Sequence, residues 1–292
     1  MKFAVGYQPL RDWIDAIVEN STSVAEVYFS FGKMPSGRMV IADEDRQLED
    51  LGRIADAGIA LGILFNANCY GGQALSKTMF SKIGETVDRF AADGALKSVT
   101  TTSPLIAKFV KDNFSGLVTR ASVNMEIGTV EGMEYLEDTF DGFYLKRELN
   151  RDKEAVRQIK SWCERHGKGL FLLANSGCLN NCSSHVFHDN LVAHEQELAS
   201  EDNGFNYRGT CWQWLTKPEN RARWMERTNW ISPEEVSSYE GLCDAMKLAT
   251  RCNVNPARVL TSYMTGSHVG DIRDILEPNH AAMWRADGVM KC

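Results

Sequence analysis

The sequence predicts an α/β protein, a closed (β/α)8 TIM-like barrel, and three observations point to it. Eight short apolar runs, rich in Val, Ile, Leu, Phe and Tyr, recur along the chain. Amphipathic stretches of helical period separate most of them, which is the pattern of parallel βαβ units. The length of 292 residues accommodates one such barrel, which typically needs about 250 residues. An open, doubly wound sheet is the rival arrangement of the same units.

Taken in order, Lys-Phe-Ala-Val-Gly at 2–6 reads as the first strand and Ala-Glu-Val-Tyr-Phe at 25–29 as the second. A helical pattern over 43–57 leads to a third strand at 60–65. A second helical pattern over 75–92 leads to a fourth at 96–100. Strands five and six are expected at 118–123 and 142–146, with helical sequence over 129–138 between them. Helical sequence over 153–166 precedes a seventh strand, Gly-Leu-Phe-Leu-Leu at 169–173, and the eighth is expected at 244–248. The stretch 183–238 breaks this spacing and contains Trp212, Trp214, Trp224 and Trp230. A connection that long inside a compact domain is usually functional and carries helices of its own. It is expected as an insertion over the C-terminal mouth of a single barrel domain, 1–292. No repeat or Pro/Gly linker divides the chain.

Bulk composition narrows the function classes. The net charge of −7 argues against non-specific nucleic-acid binding, because no long basic run offsets it. Met1-Lys-Phe-Ala-Val-Gly turns polar too early for a signal peptide. No window approaches the roughly 18 apolar residues of a membrane span. A cytoplasmic protein without a membrane partner is expected. Its eight cysteines are then not a disulfide framework. Cys163 and Cys243 read as buried inert thiols, and Cys292 as a frayed terminus.

The remaining cysteines cluster near strand ends. Ala174-Asn-Ser-Gly-Cys178-Leu-Asn-Asn-Cys182 follows the seventh strand, and Cys211 follows in Arg208-Gly-Thr-Cys211. Cys69 follows the third strand and Cys252 the eighth. In a barrel these ends share one rim. Thiolates there are soft ligands suited to iron–sulfur clusters, zinc or copper(I). The expectation is a 4Fe–4S cluster on Cys178, Cys182 and Cys211, with Cys69 favoured over Cys252 as fourth ligand. Cys69 is favoured because its glycine-flanked turn can bend the thiol inward. Zinc on Cys178, Cys182 and His188 is the alternative. His185, His188 and His194 otherwise read as a polar, solvent-facing helix.

Lys146-Arg147-Glu148-Leu149-Asn150 ends the sixth strand, where charged residues of a barrel bind ligand or act in catalysis. The plainer reading is a helix start with Asn150 as N-cap. Arg147 and Arg251 are expected to fork onto an anionic substrate group. Lys247 shares their pocket, Glu148 orients Arg147 or serves as general base, and Asn66 and Asn124 line the site. Asn68 stands at the same strand end as Asn66. P-loop, GxGxxG, GxSxG and HExxH patterns are absent.

These residues resemble one known family. Arg147-Glu148-Leu149, the loop Ser176-Gly-Cys178 to Cys182, Arg208-Gly-Thr-Cys211 and Lys247-Leu-Ala-Thr-Arg251 are similar, in order, to motifs of the collagenase-like peptidases of unknown type, family thirty-two of that class. The likeness spans residues 1–270. It implies a TIM-like barrel and, for one branch, a four-cysteine 4Fe–4S cluster serving oxygen-independent hydroxylation of ubiquinone precursors or RNA bases. That mapping places the first three ligands on Cys178, Cys182 and Cys211. The chain departs from the pattern at Ala249, where the family has Glu, and in lacking a second cysteine soon after Cys211. Three functions follow as expectations. The first is redox modification of a small molecule, cofactor precursor or RNA, with an electron donor as partner. The second is a metal- or cysteine-dependent peptidase, drafting Cys178 with His188. The third is an accessory subunit with a structural or electron-transferring cluster.

Overall fold

Eight parallel strands close into a barrel in sequential order, β1 through β8, with β1 pairing to both β2 and β8. They are β1 (Phe3–Gly6), β2 (Val24–Phe29), β3 (Ala60–Phe65), β4 (Leu96–Thr101), β5 (Val118–Ala121), β6 (Gly142–Tyr144), β7 (Gly169–Leu173) and β8 (Ala245–Leu248). The computed structural model describes residues 1–38, 42–92, 94–205, 207 and 209–280. Arg208 and Cys292 lie outside them.

The predicted strands coincide with the observed ones to within about two residues. The fifth and sixth stop short of the expected 123 and 146 for a local reason. Ser122 accepts a hydrogen bond from the Asn124 amide and turns the chain into a 3-10 turn, Val123–Met125. Lys146 likewise precedes the 3-10 turn Arg147–Leu149. The outer layer holds α1 (Arg11–Glu19), α2 (Glu44–Asp56), α3 (Lys77–Ala91), α4 (Pro104–Asn113), α5 (Val130–Glu134) and α6 (Lys153–Arg165). Side chains of Asp43, Ser76, Ser103, Thr129 and Asp152 each accept an amide hydrogen at a helix start, satisfying donors that the helix leaves unpaired. Asn150 is not one of these caps. It is buried, its amide donates to the Leu173 and Asn229 carbonyls at 2.7 and 2.6 Å, and its own carbonyl accepts from Tyr239. It ties the end of β6 to the end of β7.

The stretch after β7 carries α7 (His185–Ala193), α8 (Glu195–Ser200), α9 (Thr210–Leu215), α10 (Pro218–Ala222) and α11 (Trp224–Arg227) before β8, and α12 (Pro256–Thr265) follows β8. Leu215, Trp224 and Leu276 form a small apolar cluster, with Trp212, Trp214 and Trp230 packed around it. The four tryptophans thus give this stretch an apolar centre of its own.

Strand alternation sorts the core into two layers. Val27 and Phe29 of β2 and Met246 and Leu248 of β8 join the large cluster under the helices. Tyr28 packs inside the barrel with Ala4 and Leu64, and Tyr144 with Phe171 and Ala245. The interior also holds charge. Glu26 accepts from Ser98 at 2.7 Å and pairs with Arg120 at 2.6 Å, and the guanidinium lies 4.5 Å from the Phe171 ring centre. Gly62 makes room for that pair, since a Cβ there would lie 2.6 Å from Glu26 Oε1 and 2.7 Å from Ser98 Oγ.

Candidate functional site

The C-terminal mouth of the barrel opens into a cavity of about 130 Å³. Its wall includes Asn66 after β3, Asn124 after β5, Arg147 after β6, Cys178 after β7, and Lys247, Arg251 and Cys252 on and after β8. His188, Asp189 and Val192 of α7 close one side, so that helix lies against the rim. Glu277 and Pro278 close another.

Arg147 organises the wall between β5 and α7. It is buried, donates to Asn124 Oδ1 at 3.0 Å, and lies 3.5 Å from Glu126 and 3.8 Å from Asp189. It also meets the His185 imidazole. His185 is 3.2 Å from Asp189 and 3.6 Å from Glu126. Burial raises the Glu126 carboxyl above its ordinary range, against the pull of Arg147 and His185. Glu126 adopts the left-handed backbone region, at φ 54°, which is uncommon for a side-chain-bearing residue.

Glu148 points away from the cavity, toward Glu126 and His185. Among the described residues these three form the group whose ligand atoms all lie within 4.8 Å of one another. Glu148 is not among the residues that line the cavity, and its charge acts on Arg147 from beside it. The 3-10 turn rotates successive side chains apart, so Arg147 faces the cavity and Glu148 its flank.

The opposite wall is fixed from farther away in sequence. Asn66 accepts from Ser36 and from the Gly37 amide at 3.2 and 3.1 Å, and its carbonyl accepts from Asn124 at 3.3 Å. Both amides are thus committed to holding the rim. Arg251 donates to Ser36 at 3.3 Å and to the Arg38 carbonyl. Arg38 pairs with Glu277. The Asn175 amide donates to the Ala249 and Ile275 carbonyls at 3.0 Å each and fastens 275–278 beside the cavity.

Three thiols gather on the α7 side. Cys211 is pushed up to about 11 by burial first and then by the nearby Cys178 and Cys182. Cys178 is raised by burial, opposed by the Arg147 charge. Gly209, at φ +94°, lets the backbone pass these groups: a Cβ there would stand 3.3 Å from Cys211 Sγ and 3.9 Å from the His188 ring.

No family model matches the chain. Over 262 residues it is 23% identical to the uncharacterized protease MJ1657 of Methanocaldococcus jannaschii, covering 86% of this chain and 75% of that one. The U32 peptidase Mk0906 superposes with a TM-score of 0.61 at 17% identity, over 85% of this chain and 91% of its own. The chain is thus similar in sequence to an uncharacterized protease and in fold to a U32 peptidase.

Of the residues expected at the site, Asn66, Asn124, Arg147, Cys178, Lys247 and Arg251 line the cavity, Cys182 and Cys211 stand near one another and near Cys178, and Arg208 lies outside the described residues. Cys69, expected beside the other three thiols, is engaged elsewhere. It accepts from the Gly71 amide at 3.4 Å and hydrogen-bonds His194, whose Nδ1 lies 2.7 Å from Glu197. The His194 contact lowers the thiol below its usual range and raises the imidazole. Two of the histidines expected to face solvent turn inward, because α7 crosses the rim rather than lying free: His185 meets Arg147 and His188 lines the cavity, while His194 stays partly exposed and meets Cys69. Cys163 and Cys243 are buried in the core. Glu126, Asp189, Ser36 and Glu277 escaped the sequence reading. Only Glu126 carried a signal, as a charged residue soon after a strand end.

Proposed function

We propose that the chain is an iron–sulfur protein that carries out redox chemistry on a small anionic molecule held in the barrel mouth. One observation carries this reading: three thiols from two separate segments gather beside a cavity whose wall holds Arg147, Lys247 and Arg251. The residues fit the group. The donor set is soft, as the irons of a cluster require, and Gly209 leaves space next to Cys211 Sγ. Cys178, Cys182 and Cys211 would hold it. His188, beside Cys211, and Cys252, in the wall with Cys178, stand where a fourth ligand is needed. Bound there, a cluster supplies single electrons at the mouth.

The protein's own residues do the rest. Arg147 and Arg251 present guanidinium forks to a carboxylate or phosphate. Asn66 and Asn124 hold the rim at fixed spacing. The cavity of about 130 Å³ suits a small molecule better than a polynucleotide, as does the net charge of −7. Separate Cys→Ser changes at 178, 182 and 211 are each expected to remove the iron and sulfide bound after anaerobic purification. Cys69→Ser and Cys163→Ser are expected to leave both in place. Iron retained in Cys178→Ser or Cys211→Ser would refute the assignment.

A second reading has its own observation. Cys69, His194 and Glu197 stand in the order thiol, imidazole, carboxylate, as an activated nucleophile requires. A peptidase activity of the kind named for MJ1657 and Mk0906 would sit there rather than on Cys178 with His188. Peptide hydrolysis by metal-free protein, lost in Cys69→Ser, would establish it; hydrolysis unchanged by that substitution would dismiss it.

A further inference from the structure

Lys247 lies on β8, inside the barrel, and is 6% exposed. Its Nζ sits 3.9 Å from the Tyr28 ring centre and 5.0 Å from that of Tyr144. Among the described residues none accepts a hydrogen bond from it or pairs with it as a carboxylate within 4 Å. Glu26, the carboxylate on the neighbouring wall, is already taken up by Arg120 and Ser98. Arg120, Arg147 and Arg251 surround the amine with like charge. Two aromatic faces favour an ammonium by only about 0.5–2 kcal/mol. Burial and the surrounding guanidiniums outweigh them, and Lys247 is brought down to about 7. At neutral pH a large share of this side chain is a free amine with its lone pair unused, at the floor of the cavity.

We propose that Lys247 is a nucleophile that condenses with a small carbonyl compound bearing a carboxylate, such as a 2-oxo acid, to form an imine. The Nζ lone pair attacks the carbonyl carbon and the carbonyl oxygen takes up the proton released from nitrogen. The carbon–oxygen bond then breaks, water leaves, and a C=N bond replaces C=O. Atoms balance without an oxidant or reductant. Arg147 and Arg251 receive the carboxylate, and a cavity of about 130 Å³ admits an acid of a few carbons. The inference shares the anion pocket with the reading above and uses none of its thiols.

The test is reductive trapping on the full chain. Protein is incubated with pyruvate or glyoxylate, reduced with sodium borohydride, and mapped by peptide mass spectrometry. One adduct per chain is expected, on Lys247. Its yield should rise as pH rises through about 7, because the amine must be unprotonated to attack. Glu26, Tyr28, Arg120, Tyr144, Arg147 and Arg251 are the charged and titratable groups that set that midpoint. Lys247→Met, checked for an unchanged circular dichroism spectrum, should lose the adduct, and so should Lys247→Arg. Protein treated with an iron chelator should keep it as well as protein used as purified, so failure of the thiol assignment leaves this outcome readable. Absence of an adduct with both acids, or an adduct that persists in Lys247→Met, overturns the proposal.

Discussion

Glu26→Ala is expected to destabilise the barrel by about 3–5 kcal/mol, a fall in melting temperature of roughly 10 °C for a domain of this size. Glu26 is 4% exposed and is the carboxylate that neutralises Arg120 inside the barrel. Removing it leaves a buried guanidinium with the Phe171 face and the Tyr144 hydroxyl as compensation, and a ring face is worth only about 1–2 kcal/mol to such a cation. Ser98 loses its acceptor as well. The double change Glu26→Ala with Arg120→Met removes the stranded charge and should recover most of the loss. Thermal unfolding of the two variants checks this. Equal instability in both would mean that the pair acts through packing alone.

Arg147→Ala is expected to release α7 from the rim. The guanidinium is the buried cation that Glu126 and Asp189 both face. Truncation leaves two carboxylates against a half-buried imidazole and one amide, at a cost of about 3 kcal/mol. Hydrogen exchange should rise over 185–193 before it rises elsewhere. Arg147→Lys separates holding from binding. A lysine keeps the charge between Glu126 and Asp189 but lacks the fork. It should therefore preserve most of the protection of α7 while weakening binding of inorganic phosphate or a small carboxylate by roughly tenfold or more. Full binding by Arg147→Lys would show that the residue only supports the rim.

The barrel was legible because strand alternation and helical period are local properties of sequence. Runs such as Gly169–Leu173 and Ala60–Phe65 announce themselves without reference to anything distant. The position of Cys178 and Cys182 just after β7 was legible for the same reason. Glu26 carried a signal that could have been read, a carboxylate at an alternating position of an otherwise apolar strand. Position along the rim was harder. Cys69 follows a strand, as its motif suggests, yet its partner is set by where α7 lies. That placement depends on Arg147, Glu126 and Asp189 meeting across three segments. Ser36, Gly37 and Glu277 reach the cavity wall through contacts spanning up to 239 residues, and no local pattern marks them. Asn150 shows the converse: its sequence position suits a helix cap, but tertiary hydrogen bonds to Leu173 and Asn229 claim its side chain.

The most direct measurement of the central claim is the iron, acid-labile sulfide and visible spectrum of the full chain purified without oxygen. A cluster on Cys178, Cys182 and Cys211 predicts broad visible absorbance with iron and sulfide in near-equal amounts. Colourless protein carrying one zinc and no sulfide would contradict it and move these thiols to a mononuclear site.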